Sequence, residues 1–217
     1  MGRGKLIIFN FSTFAGGCNN LPESVNEIHT LQSTFHRFNA SVRDYYRDLS
    51  RNQLFEILHE LNKRDFRKYS YFVLAISSHG GRGGSIVTSD GKDISMYDHV
   101  MLPFIGNRYL SEIPKLFIVD TCKSGFYAER ISASTPFDRN VIPKRLLICY
   151  ATSEMGVAHG SIFTDTFCHY IREYGDSYSV QQIMQRTIDS VRRATGNKQI
   201  PIMEDFMRRH LVLGKLK

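Results

Sequence analysis

No run in this chain approaches the roughly 18 consecutive apolar residues that a membrane-spanning helix needs, which excludes a helical span. The N-terminus, "MGRGKLIIFNF", enters a strand-like run at once and has neither the long apolar stretch nor the small-residue cleavage site of a secretory signal. Leu6 stands where the myristoylation pattern asks for Ser or Thr. No C-x-x-C pair occurs. The four cysteines, Cys18, Cys122, Cys149 and Cys168, are scattered, which argues against a structural zinc site and fits free thiols in a reducing compartment. Cytoplasmic residence is therefore expected, with no membrane contact, no metal and no cofactor. Internal repeats and low-complexity tracts are absent as well. The net charge of +7 has local clusters at "NKRDFRK" and at the Arg pairs 192–193 and 208–209, but no aromatic-interleaved basic motif accompanies them. The excess reads as a solvated basic surface, and no nucleic-acid partner is expected.

What remains is a chain of 217 residues, 42% hydrophobic and 23% charged, enough for one domain over 1–217 with one substantial core. "KLIIFNF" reads as a buried strand, and Val25, Ile28, Leu31, Phe35 and Phe38 then recur at helical spacing. "SVRDYY" is a short strand. The next helix opens with Ser50 as N-cap and Gln53 three residues on, a capping-box pattern, and carries Leu54, Ile57, Leu58 and Leu61 on one face. "YFVLAIS", "KLFIVDT" and "LLICYA" are short runs rich in β-branched and aromatic residues, as in strands covered on both faces. Helices around 161–174 and 179–194, the second stopped by Gly196, precede a last strand in "IPIMEDF". Strands alternating with helices predict an α/β fold of three layers, a mostly parallel sheet between helices. Residues 126–144 lack either period, an unusual length for a loop, and follow Cys122 directly.

In open α/β sheets, ligands sit beyond the carboxyl ends of the strands. Two strand ends here are chemically loaded: "YFVLAIS" runs into "SHGGRGG" and "KLFIV" into "DTCKSG". A thiol needs a base or a local positive charge to become a nucleophile, and an imidazole on the neighbouring strand end would supply it. Glycines after His79 leave backbone N–H groups able to approach an oxyanion. On the residues alone, two readings stand: a Cys122–His79 site, or a core cysteine and an unrelated loop histidine.

Four segments, "FVLAISSHGG", "IPKLFIVDTCKSG", "LLICYAT" and "NKQIPIMEDF", resemble in order and spacing the landmarks of the caspases and their relatives, in register from about Lys5 to Leu213. The resemblance implies the caspase-type fold and a cysteine endopeptidase acting on protein or peptide substrates. It implies His79 as general acid–base, Cys122 as the nucleophile that forms an acyl-enzyme, and the N–H groups of Gly80 and Cys122 as the oxyanion hole. Residues 1–125 then match a large subunit, 126–144 an intersubunit linker and 145–217 a small subunit, with no prodomain. Within the linker, Arg130 and Asp138 are the candidate processing sites. The last strand is where caspases pair, so a homodimer or a heterodimer with another caspase is expected there.

The chain also departs from the caspase pattern. Caspases grip a substrate aspartate with two arginines and a glutamine. Here Asp120 replaces the glutamine, Leu21 stands at the first arginine, and the shortened "YATSEMGVAHGSIF" offers no second one. A substrate aspartate beside Asp120 would place like charges in a partly desolvated pocket, at a cost on the order of several kcal/mol. A substrate Arg could instead bond the carboxylate bidentately. Asp120 two residues before the nucleophile is similar to the metacaspases and paracaspases, which cleave after basic residues, and "LPESVNEIHTL" makes Glu27 a second pocket acid. Cleavage after Arg or Lys is the resulting expectation. The alternatives are that Asp120 only caps nearby backbone, or that the chain is a caspase-like regulator that binds a true caspase without cutting.

Overall fold

Seven-residue strands with every side chain buried set the architecture. In β1 (Gly4–Asn10) and β3 (Tyr71–Ser77) all positions are shielded, as they are in β6 (Lys115–Asp120) and β7 (Leu146–Tyr150). Such strands need cover on both faces. The computed structural model describes residues 2–81, 84–121, 143–152 and 161–216. Within them the main sheet has six strands in the order β2-β1-β3-β6-β7-β8, with β2 at Ala40–Arg47 and β8 at Ile202–Asp205. All neighbours are parallel except β7 and β8, which are antiparallel.

Alternation along each strand splits the core in two. Leu6, Ile8, Val73, Leu116 and Ile118 pack against α1 (Ser24–Arg37), α4 (Ile162–Tyr174) and α5 (Val180–Ala194). Ile7, Phe9, Phe72, Leu74 and Phe117 face α2 (Arg51–Lys63) and the short α3 (Leu102–Ile105). This is the expected three-layer α/β arrangement. Ser50 caps α2 with the full capping box, its hydroxyl accepting from Gln53 N–H and the Gln53 side chain accepting from Ser50 N–H. Ser179 and Gln182 do the same for α5. Gly4 is held to glycine by packing, since a Cβ there would fall 2.1 Å from the Tyr71 ring. No helix among the described residues is long and apolar enough to cross a membrane.

Three features differ from the sequence expectation or add to it. The last strand is shorter, β8 beginning at Ile202, because Pro201 has no N–H to give the ladder. A hairpin of β4 (Ser85–Val87) and β5 (Asp93–Ser95) follows β3, and a π-helical turn (Met96–Met101) leads into α3. Three-residue strands are too short to show a period in sequence. Of the expected linker 126–144, only 143 and 144 fall within the described residues, and Cys122, Arg130 and Asp138 lie outside them.

Candidate active site

The carboxyl ends of β1, β3 and β6 meet at one edge of the sheet. Asp120 closes β6 opposite Ser77, its register partner on β3. His79 lies two residues beyond β3 and is half-buried. It is held through its backbone: the His79 carbonyl accepts from Val87 N–H at 3.1 Å, and Gly80 bridges to Ile86. Ser78 N–H donates to the Asp120 carbonyl at 3.3 Å, tying the His79 loop to the end of β6. The hairpin that the sequence did not reveal thus clamps this segment. A Cβ on Gly81 would come within 2.3 Å of Ser85 Oγ, so that hydroxyl would have to turn aside to admit one.

The His79 ring packs against Phe14 with centroids 4.7 Å apart, and its Nε2 lies 2.6 Å from the Asn19 carbonyl. A carbonyl only accepts, so Nε2 carries the hydrogen and Nδ1 is the basic nitrogen of the neutral ring. Nothing in the type of residue 19 announces this contact, since it is made by backbone, and the sequence reading missed it. The loop bearing Phe14 and Asn19 is anchored by Asp48, whose Oδ1 accepts from Ser12 N–H at 2.6 Å and from Thr13 N–H at 2.9 Å. Partial burial pushes the Asp48 carboxyl up, but these two N–H groups outweigh it and hold the group below the usual carboxylate range.

Glu27, in the first turn of α1, and Asp120 are both buried, and both line one small cavity of about 10 Å³. That is room for a single water or one terminal nitrogen. Asn10, Ser77 and Thr164 complete its polar wall. Thr164 Oγ1 donates to Asp120 Oδ2 at 2.7 Å. Asn10 spends its amide hydrogen on the Ser24 carbonyl at 2.8 Å, and its Oδ1 has no hydrogen-bond partner. Glu27 Oε2 has none either. No Lys or Arg among the described residues lines the cavity. Burial pushes the Asp120 carboxyl up to about 6, with the Thr164 hydrogen bond pulling part of the way back. Burial and then the Asp120 charge drive Glu27 well above the ordinary range, eased in part by the Ser77 hydroxyl. Two acids and an unpartnered amide oxygen thus meet around one space, with acceptors on every polar side of it.

Two other cysteines are core residues: Cys149 and Cys168 are fully buried and burial raises both thiols, Cys168 to about 12. Buried neutral thiols of this kind are inert. Cys18 is exposed on the loop next to Asn19. Leu21, expected where aspartate-cleaving enzymes hold an arginine, is half-buried just before α1.

A family model described as the caspase domain matches residues 3–212. Among curated relatives, Caspase-3 of Oryctolagus cuniculus is 25% identical over 84% of this chain and 70% of its own length. Caspase-3 of Mesocricetus auratus is 26% identical over 96% of this chain and 83% of its own. Caspase-8 of Mus musculus is 26% identical over 66% of this chain and 34% of its own length.

Proposed function

The chain belongs to the caspase-domain family of cysteine peptidases, and on that premise we propose that it is an endopeptidase cutting after Arg or Lys, with Cys122 as nucleophile and His79 as acid–base. As Nδ1 of His79 takes the Cys122 thiol proton, the sulfur adds to the scissile carbonyl, whose oxygen is received by the N–H groups of Gly80 and Cys122. His79 delivers a proton to the departing amine. Water then splits the thioester, its proton passing to His79 and the sulfur being released. The Asn19 carbonyl positions the ring by accepting from Nε2–H, leaving Nδ1 for these transfers.

The observation that carries the specificity is the pair of buried carboxylates around one cavity, with Glu27 Oε2 and Asn10 Oδ1 unpartnered. A buried unpaired acceptor is costly, and a substrate cation would relieve both at once. A substrate aspartate would add a third carboxylate and relieve none. A panel of fluorogenic peptides ending in Arg, Lys or Asp tests this. Arg and Lys peptides should be turned over and the Asp peptide left intact. Turnover of the Asp peptide alone sinks the pocket assignment. No turnover of any peptide, with no labelling by a thiol-directed active-site probe, would favour a non-cutting regulator instead.

Pairing with a second caspase-fold chain, identical or not, would use β8, the last strand of the described sheet. Phe206, just beyond it, is 41% exposed, and Ile202 and Met203 are only half-buried. An edge with apolar side chains and unpaired backbone is a template for pairing. Phe206→Asp should shift a dimer toward monomer and lower activity with it, as read by sedimentation velocity. A parent protein that stays monomeric at high concentration would remove this expectation.

A further inference from the structure

At the opposite edge of the sheet, where β6 and β7 begin, lies a second cavity of about 440 Å³. Its rim carries Arg145, Arg208, Arg209 and His210, and its floor is apolar, from Pro114, Met207, Leu211 and Leu216. We propose that this pocket is a docking site for an acidic segment of another protein, in which apolar side chains alternate with carboxylates.

The charge is largely uncompensated. Arg208 and Arg209 are exposed and make no ion pair among the described residues. Arg145 reaches Glu112 at 3.1 Å, but both side chains are exposed, and pairs of that kind contribute little and exchange readily. The nearby Asp205 is exposed, and its carboxylate already accepts from Met207 N–H at 2.8 Å and from Gln181 at 3.4 Å. The buried Lys115 ammonium, which does not line the pocket, donates to the carbonyls of Leu110 and Ile113 at 2.7 and 3.0 Å. Arg145 itself sits at a φ of 50°, a left-handed conformation uncommon for a residue with a side chain.

Shape and composition select the ligand class. A volume of this size accepts a few residues of peptide. Arg clusters recognise carboxylates through paired N–H donors, and an apolar floor gives alternate side chains a place to bury. Single-stranded nucleic acid would want Phe, Tyr or Trp platforms, and none among the described residues lines this cavity. The pocket is separated from the carboxyl-end site by the length of β6, six residues or ~20 Å. It is therefore independent of the specificity reading, and short peptide substrates should not touch it.

Fluorescence anisotropy on the full chain would test the proposal, with fluorescein-Gly-Glu-Glu-Leu-Glu-Leu-Gly, which has no Asp, Arg or Lys for the active site. Arg208→Glu/Arg209→Glu should weaken binding tenfold or more, while turnover of a short fluorogenic peptide stays at the parental rate. Arg193→Glu, at the far end of α5 from the pocket, should change neither. Replacing Glu by Gln in the probe should weaken binding at least tenfold, and replacing Leu by Ser severalfold. Undetectable binding, or binding indifferent to the double reversal, overturns the proposal. So does a Ser-for-Leu probe that binds as tightly as the parent, because only a charged surface would then remain. Preferential binding of an oligothymidylate that the peptide cannot displace would reassign the patch to nucleic acid and overturn it equally.

Discussion

Cys122→Ala is expected to abolish peptide hydrolysis, and His79→Ala to slow it by ~10²–10⁴-fold, the range general acid–base catalysis usually supplies. The asymmetry has a chemical cause. Without the sulfur no acyl-enzyme can form, whereas without the imidazole a residual thiolate fraction still attacks. Neither change should unfold the protein. Cys122 lies beyond the end of β6 at Asp120, and His79 is half-buried in a segment fixed by its backbone. Melting temperatures within a degree or two of the parent would confirm that the loss is catalytic. Cys18 is the necessary control, being the exposed thiol next to the Asn19 carbonyl that holds the His79 ring. Cys18→Ser should retain both turnover and labelling by a thiol-directed probe. Were labelling to survive in Cys122→Ala and vanish in Cys18→Ser, the nucleophile would have been misassigned.

Glu27→Gln is expected to move activity and stability in opposite directions. At pH 7 it should lower kcat/KM on Arg and Lys peptides by tenfold or more, since it removes a carboxylate from the cation receptor. It should also raise the melting temperature by a few degrees, because an uncompensated buried acid beside Asp120 is lost. The sign follows from linkage. Asp120 has an ordinary value of 3.8 and is raised to about 6 in the folded protein, so the folded state binds more protons between those values. Its contribution to stability is fully present below 3.8 and is lost as pH rises through about 6. Glu27 is raised in the same direction, by burial first and by Asp120 next. The stability gain in Glu27→Gln should accordingly shrink as pH falls and both acids protonate. Cleavage after Arg should run the other way, improving as pH rises and the receptor ionises. Asp120→Gln should likewise weaken cleavage after basic residues without creating cleavage after Asp, as no arginine takes the Leu21 position. Melting curves and KM values for an Arg peptide from pH 4 to 8 would check both trends. A Glu27→Gln variant that is less stable at pH 7 and cuts Arg peptides at the parental rate would make Glu27 a packing residue.

Chain periodicity alone determined the layers of this protein. Strands such as "LIIFN" and "YFVLAIS" are apolar at every position because both faces are covered, and that needs no knowledge of their partners. The start of α2 was equally legible, because Ser50 and Gln53 satisfy the first N–H groups of their own helix. So was the loading of two strand ends with His79 and Asp120, since parallel strands carry their carboxyl ends to one edge. Tertiary structure alone decided the rest. Glu27, Asn10, Asp120 and Thr164 come from α1, β1, β6 and α4, and no local spacing reports that four elements will face one small cavity. The Asn19 contact is made by a carbonyl that every residue type possesses. The basic pocket joins Arg145 to Arg208 and Arg209 across more than sixty residues. Local sequence encodes what a segment satisfies within itself, and groups left unsatisfied acquire a meaning only from whatever the fold places opposite them.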